Sequence, residues 1–426
     1  MKDATAARRA ALRMLQAVRS GATFAATRDR HLPGLAERDR RLAYQLAAGV
    51  LRSQADLDQV LALATADPRV HDVLRLGAYQ LRALARVPAY AAVSTSVELA
   101  REIAGERAAR YVNHLLRSLS RAAGRGMRDV VETHPAWLVA RWRKRFGESE
   151  TQRLVSWNDT KPPLTVQPAR WDHSTLLRTL HQTGIGVEEA PCGAGIQLLS
   201  GMPPSPFPLP RQLPGFEQGA FIVQDPAQAL VCGYAAIPPG GLVYDACAAP
   251  GGKAVMLERL GARVVAGDAR RDRMGRLAQT ARRAGVAIRL TVADLLSAPF
   301  AAGALAAVLV DAPCTATGTM ARHPDARWRI AERAIARATT RQRALLEAAA
   351  RLVQPGGLLV YATCSLEPEE NSDVVSAFLE RHPEFRRDAL AGTVPAELLT
   401  GEGDFQSLPQ RHGMDGAYAA RLRRVR

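Results

Sequence analysis

The sequence predicts an α/β protein in which a parallel sheet is covered by helices on both faces, preceded by an all-helical bundle. Three observations carry this expectation. From Gly241 onward, short apolar runs alternate with helical or turn segments, the pattern of strands joined by crossover helices. Residues 1–122 instead show apolar positions at helical spacing and no strand-like alternation. Finally, 426 residues is too long for a single core, so two or three domains are expected.

In the first region Leu12, Leu15 and Val18 share a helical face that ends before Gly21. Leu42, Leu46 and Val50 lie a turn apart on a second helix, and Asp56 is placed to cap a third carrying Leu57, Val60 and Leu61. Further helices are expected over 69–84, 92–104 and 107–121, with short connections, as in a compact bundle. Arg8, Arg9 and Arg13 give the N-terminus a faint transit-peptide character, but its apolar stripe fits the bundle that follows, and no apolar leader core precedes it. Gly124, Arg125, Gly126 and Arg128 mark a boundary, and Trp137–Phe146 reads as a basic helix. Helix and strand signals then mix over 163–225. Seven prolines between Pro191 and Pro214 require a loop or extended segment there. The expected domains are therefore 1–128, 129–225 (small, α+β) and 226–426.

Five strands are expected in the last region, at Leu242–Cys247, Arg263–Gly267, Ile288–Val292, Ala306–Asp311 and Leu358–Thr363. Ligands of such sheets bind at the carboxyl ends of the strands, where the polar motifs of this chain fall.

Composition narrows the function. The chain has 57 Lys+Arg against 41 Asp+Glu, a formal charge of +16, which points to a polyanionic partner. Residues 1–130 hold 22 basic and 12 acidic residues, so +10 of that excess lies in the bundle. No apolar run approaches the eighteen residues of a membrane span, so no segment is expected to cross a membrane and no membrane partner is expected. Five cysteines without C-x-x-C spacing suggest neither a disulfide scaffold nor a zinc ribbon. The only lysines are Lys2, Lys144, Lys161 and Lys253.

Asp245-Ala-Cys-Ala-Ala-Pro-Gly-Gly-Lys253 lies between a strand and a helix. Its small residues let the backbone approach a ligand, and the helix N-terminus offers free N–H groups. It is neither a G-x-G-x-x-G turn nor a P-loop, since Ala254 follows the lysine. Asp268 ends the second strand roughly 20 residues further on, where an acid binds ribose hydroxyls, and Asp294 follows the third. A capping or turn role is the ordinary reading of either acid alone; three acids in register at successive strand ends favour a ligand. Asp311-Ala-Pro-Cys314 ends the fourth strand and Thr363-Cys364-Ser365 the fifth. Buried structural roles suit Cys192 and Cys232. Two cysteines at neighbouring strand ends suit thiol nucleophile chemistry better than metal binding, since the nine histidines are scattered and only His323 is near in sequence.

These motifs together resemble the RNA cytosine-5 methyltransferases that use S-adenosylmethionine. Val223-Gln-Asp-Pro-Ala-Gln228, Arg322-His-Pro-Asp325 and Trp328 extend the likeness. The N-terminal region resembles the NusB fold through Leu74-Arg-Leu-Gly-Ala-Tyr-Gln-Leu81, Val87-Pro88, Val97-Glu-Leu-Ala-Arg101 and Val112-Asn113. The combination resembles one subfamily, the 16S ribosomal RNA small-subunit methyltransferases of type B. Asp415-Gly-Ala-Tyr418 departs from the family's more aromatic Asp-Gly-Phe-Phe/Tyr.

The resemblance implies a Rossmann-like S-adenosylmethionine-dependent methyltransferase domain, an all-α NusB-like bundle and a small α+β intermediate domain. It further implies a cytoplasmic, monomeric enzyme acting on 16S rRNA or a partly assembled small subunit. Cys247, Ala248, Ala249, Pro250, Gly251, Gly252 and Lys253 would hold the methionine end of the cofactor, Asp268 the ribose and Asp294 the adenine. Asp311 would line both the cofactor and the base. Catalysis would fall to Cys364, Cys314, Asp311 and Lys253, with Cys364 as nucleophile and Cys314 aiding product release; the related DNA enzymes use their Pro-Cys cysteine as nucleophile, so from sequence alone the two roles are exchangeable. Readings from other classes are an RNA-binding antitermination module and a small-molecule methyltransferase. The intact cofactor and cysteine motifs oppose the first, and the basic bundle opposes the second.

Overall fold

The computed structural model describes residues 5–62, 67–122, 133–199, 210–388 and 392–425. The boundary expected at Gly124–Arg128 and most of the proline-rich stretch lie outside the described residues. The chain divides into two compact units, residues 1–160 with 320–330, and residues 161–319 with 331–426.

The first unit is helical. Ala6–Arg19 buries Leu12, Leu15 and Val18, and Gly21 follows it with φ +97°. A helix not anticipated from periodicity, Phe24–His31, is capped by Thr23, whose hydroxyl accepts from the Ala26 N–H. Glu37–Arg52 buries Leu46 and Val50. The next helix, Gln54–Leu61, begins earlier than expected, so Asp56 is not its cap. It sits in the first turn instead, where a carboxylate still complements the helix dipole. Pro68–Ala83 follows, and the two helices expected beyond it appear as Ala89–Ala122, broken at Gly105 (φ 78°). Ala136–Phe146 and Glu148–Asp159 complete the series.

Residues 320–330 belong to this unit through specific bonds. Trp328 Nε1 donates to the Leu51 carbonyl at 2.7 Å, and the Phe24 N–H donates to Asp325 Oδ2 at 3.1 Å. The wholly buried Arg327 donates to Asp159 Oδ1 at 2.5 Å and to the Asn158 carbonyl at 2.7 Å. His323 lies in the same segment.

The second unit holds two sheets. In the smaller, β1 (Leu164–Pro168), β2 (Val187–Glu189), β3 (Ile196–Leu198) and β4 (Phe221–Val223) pair antiparallel in the order β2-β3-β1-β4. The helix His173–His181 packs Leu176 and Leu180 into the same core as Val166, Ile196 and Phe221.

The larger sheet contains β5 (Leu242–Asp245), β6 (Arg263–Asp268), β7 (Arg289–Val292), β8 (Leu305–Asp311), β9 (Val353–Thr363), β10 (Phe385–Arg387), β11 (Phe405–Ser407) and β12 (Ala417–Arg424). Its order is β10-β12-β9-β8-β5-β6-β7, with β11 on β12. β5 to β9 are parallel and are the five strands expected from the sequence; β12 joins β9 antiparallel. Alternate residues face opposite cores, as the strand period of two requires. Val243, Leu309 and Val360 face Val231, Leu257 and Leu277 of the helices Pro226–Ala235, Gly252–Arg259 and Arg271–Ala284. Tyr244, Val308 and Tyr361 face Leu345, Leu346 and Phe378 of Glu332–Leu352 and Ser372–Arg381. The strand order reverses between β5 and β8, which puts the ligand crevice at the carboxyl ends of those strands.

Candidate active site

The turn after β5 carries the glycine-rich motif. Its backbone is fixed by neighbouring strands: the Ala246 N–H donates to the Leu309 carbonyl and the Ala248 N–H to the Gly267 carbonyl, both at 2.9 Å. Gly251 has φ +107°, and a Cβ there would stand 2.8 Å from Leu277 Cγ. Only glycine meets both demands at that position.

Asp245, at the end of β5, is fully buried, and neither of its carboxylate oxygens has a well-formed hydrogen bond among the described residues. Burial, then the nearby Asp311 carboxylate, push its pKa up to about 7, against the opposing pull of Lys253 and the Cys247 amide. Gln224 Oε1 and Gln228 Nε2 are also buried without a hydrogen-bond partner among the described residues. A glycine-rich turn ringed by unsatisfied polar groups fits a ligand that brings both donors and acceptors, as the amino-acid end of S-adenosylmethionine does.

Lys253 is the hub of the cleft. Its Nζ donates to Asp311 Oδ2 at 2.7 Å and to the side-chain oxygen of Gln228. Burial works against its charge, but the Asp311 carboxylate and its hydrogen bond outweigh that and hold the pKa above the usual lysine value, with Cys232 and Cys364 adding to the effect. Asp268 and Asp294 stand at the ends of β6 and β7. Each spends Oδ1 on a local turn, Asp268 accepting from the Arg270 N–H at 2.8 Å and Asp294 from the Leu296 N–H at 3.1 Å. Asp294 thus caps the short Leu295–Ser297 turn and Asp268 closes a local turn, while a second carboxylate oxygen on each has no hydrogen bond among the described residues and is placed for a ligand.

Cys314 and Cys364 are brought together by the parallel pairing of β8 and β9, and their sulfurs are 3.2 Å apart. Both are free thiols and half-buried. The Cys314 thiol is pushed well above its usual pKa by its hydrogen bond to Cys364, then by burial and by the Cys364 and Glu370 charges. Such an arrangement can present one sulfur as a nucleophile while the other keeps a proton beside it.

Three family models match the chain in succession: the NusB family over residues 5–121, an RsmF/B-like ferredoxin-like domain over 134–204, and 16S rRNA methyltransferase RsmB/F over 236–423. A probable ribosomal RNA small subunit methyltransferase B of Synechocystis is 32% identical, the match covering 91% of this chain and 92% of that one. The ribosomal RNA small subunit methyltransferase B of Pseudomonas putida is 35% identical over 98% of both chains. The chain belongs to the ribosomal RNA small subunit methyltransferase B family. The crystal structure of PH0851 shares the fold, with a TM-score of 0.81 over 99% of each chain at 24% identity. The family's domain set accounts for the helical bundle, the small antiparallel sheet and the parallel sheet described above.

In this family member, Lys253, Asp311, Cys314 and Cys364 converge at the ends of β5, β8 and β9 and the helix that follows β5, as expected. Cys247 is largely buried, and its thiol pKa is raised by burial and by Asp245. Cys232 is buried, its S–H donating to the Gln228 carbonyl at 3.4 Å, and burial pushes its pKa up to about 12. Cys192 departs from expectation. It is exposed, because the Pro191–Gly193 turn puts it at φ 57° on the surface. Ala417, where the resemblance implies an aromatic side chain, is buried at the start of β12 in the core with Phe405 and Met414, a packing position. Sequence reasoning missed Gln228, Glu370 and Asn371 as members of the site. Gln228 lies within Val223-Gln-Asp-Pro-Ala-Gln228, and the Glu370-Asn371 pair follows Cys364 by six and seven residues.

Proposed function

We propose that the protein methylates C5 of a cytosine in 16S rRNA, using S-adenosylmethionine as methyl donor and a covalent bond from Cys364 to C6. The observation that carries this reading is the thiol pair at the head of a methyltransferase-family sheet, next to a buried lysine–aspartate pair. The proposed division of the chain is 1–128 for RNA binding, 129–225 as an intermediate domain and 226–426 for catalysis.

The turn from Cys247 to Lys253 would hold the methionine end of the donor, Asp268 its ribose and Asp294 its adenine. When bound, the donor supplies an electrophilic methyl group. Cytosine C5 is a weak nucleophile until the Cys364 thiolate adds to C6 and makes C5 enamine-like. Asp311, held by Lys253, is oriented to hydrogen-bond the N3/N4 edge of the base and favour its protonation as the adduct forms. Lys253 keeps the local charge balanced in a buried setting.

Once the Cys364 sulfur is bonded to carbon, it no longer presents a negative charge or a hydrogen-bond acceptor of the same strength. The Cys364 hydrogen bond and charge, two of the causes that raise the Cys314 pKa, are then removed, while burial and the Glu370 charge remain. Cys314, once it has given its own proton to solvent, would take the C5 proton as a thiolate, and elimination then restores the C5=C6 bond and frees Cys364 as a thiolate. The base must leave its stack to reach this cleft, so unpaired or loosely paired RNA is the substrate form expected.

Bisulfite sequencing of rRNA from a strain lacking the gene tests the reading. One cytosine should lose protection, and the wild-type gene, but not Cys364→Ala, should restore it. An unchanged bisulfite profile in that strain sinks the proposal.

A further inference from the structure

Glu370 is completely buried on the Pro368–Glu370 turn and touches neither strand-end sulfur through a hydrogen bond. Its carboxylate nevertheless meets both cysteine loops. Oε1 accepts from the Thr315 N–H at 2.9 Å and from Gln342 Nε2 at 3.0 Å. Oε2 accepts from the Ser365 hydroxyl at 2.5 Å and from the Thr315 hydroxyl. Thr315 follows Cys314 and Ser365 follows Cys364, and these two residues are 50 positions apart in the chain.

The same Gln342 amide also donates to the Pro313 carbonyl at 3.0 Å, so the residues on both sides of Cys314 are held through Glu370 or its partner. Asn371 does the equivalent for Cys364: it accepts from the Thr363 hydroxyl at 2.5 Å and donates to the Ser365 carbonyl at 2.9 Å. The Gly318 N–H closes the two loops by donating to the Cys364 carbonyl at 3.0 Å, and a Cβ at Gly318 would stand 2.8 Å from that oxygen.

We infer that Glu370 is a positioning residue, a buried carboxylate that fastens the Cys314 loop to the Cys364 loop and so sets the distance between the two thiols. Four donors converge on one carboxylate, which matches its acceptor capacity. A group buried without that match would be costly to keep. The observed network is therefore a reason for an acid to occupy this interior position rather than an apolar residue. The catalytic consequence rests on the methylation reading above; the geometric consequence does not.

The test uses the full-length protein with Glu370→Ala, Glu370→Gln and the double variant Thr315→Val/Ser365→Ala. Methylation kinetics on rRNA are read as kcat and KM. Thiol pairing is read by titration with phenylarsine oxide, which bridges two adjacent thiols. A misplacement on the ångström scale costs roughly 100-fold in rate, so Glu370→Ala should lose about that much in kcat with little change in KM. It should also lose stoichiometric arsenical binding. Glu370→Gln should keep both, because the amide oxygen still meets the Thr315 and Gln342 donors while its NH2 group donates to the two hydroxyls, whose protons can turn. The double variant leaves Glu370 in place and should fall in the same direction as Glu370→Ala, which covers the case that the alanine variant does not fold. Equal loss of kcat in the glutamine and alanine variants would mean that Glu370 carries a proton, and overturns the inference. Retained arsenical binding and kcat in both the alanine and the double variants overturn it as well. If the wild type binds the arsenical yet methylates no cytosine, the functional reading has failed and the geometry stands.

Discussion

Cys314 Sγ lies 3.2 Å from Cys364 Sγ, close enough for one thiol to hydrogen-bond the other. Adjacent strands carry the two sulfurs, so removing one side chain leaves the other in place. Cys364→Ala should abolish methylation and form no covalent complex with RNA. Cys314→Ala should form the complex but fail to resolve it, leaving a protein–RNA adduct stable to denaturing electrophoresis. An adduct in Cys364→Ala instead would exchange the two roles.

Lys253 and Asp311 are coupled more tightly than a surface pair, since the lysine side chain is 10% exposed and the aspartate 32%. Breaking a buried pair strands the remaining charge. Lys253→Met leaves Asp311 beside the buried Asp245, and should cost about 2–3 kcal/mol of stability once the partial exposure of Asp311 is allowed for. Adding Asp311→Asn to that variant should recover part of the loss, because no ionised partner is then left opposite the methionine. Denaturant melts of the two single variants and the double variant check this, and strictly additive losses would contradict the coupling. Asp311→Asn alone tests the proposed base contact, which requires a clear fall in turnover.

Much of this site was legible because its residues sit at strand ends marked by short apolar runs, and because Asp311, Cys314 and Cys364 fall just where those runs stop. The supporting residues were not legible for a physical reason. Gln228, Gln342 and Glu370 act through hydrogen bonds that reach across 25 to 55 positions of chain, and no local period signals such bonds. The three-residue strands β2 to β4, β10 and β11 could not be placed singly, since runs such as Val187–Glu189 and Phe405–Ser407 leave no room for a period of two to register. The 320–330 segment lies outside the bundle in sequence, and its membership of the helical unit depends on Arg327 and Trp328 bonding residues 168 and 277 positions away.

Asp245 gives a pH prediction whose sign is opposite to that of most acids. Its pKa is about 7 in the folded protein against a usual value of 3.8. The folded state therefore prefers the protonated form. This contribution is fully present below about pH 3.8 and is lost as pH rises through about 7. Asp245→Asn mimics the protonated side chain, so the ligand-free variant should be more stable than wild type at pH 8 and close to it at pH 4.5. Melting temperatures of both proteins across that range measure the difference. A wild-type protein that gains stability relative to Asp245→Asn between pH 5 and 8 would show that the carboxylate finds a partner the buried geometry does not provide.

Arg107, Arg110 and Arg117 are exposed on the helix Ala89–Ala122, at spacings that keep them on one side of it. In the proposed function this side supplies phosphate contacts for single-stranded or loosely paired RNA. Each contact of that kind releases about 0.7 of a counterion equivalent, so three together contribute a slope of about −2 in a plot of log affinity against log salt. Replacing all three with glutamine should weaken RNA binding at low salt and flatten the plot by about that amount. The value of kcat at saturating RNA should stay unchanged, since none of the three belongs to the unit that carries the cysteines. Equilibrium binding at several salt concentrations, paired with single-turnover methylation, separates the two effects. An unchanged salt slope would move the RNA contacts to a different basic surface of the chain.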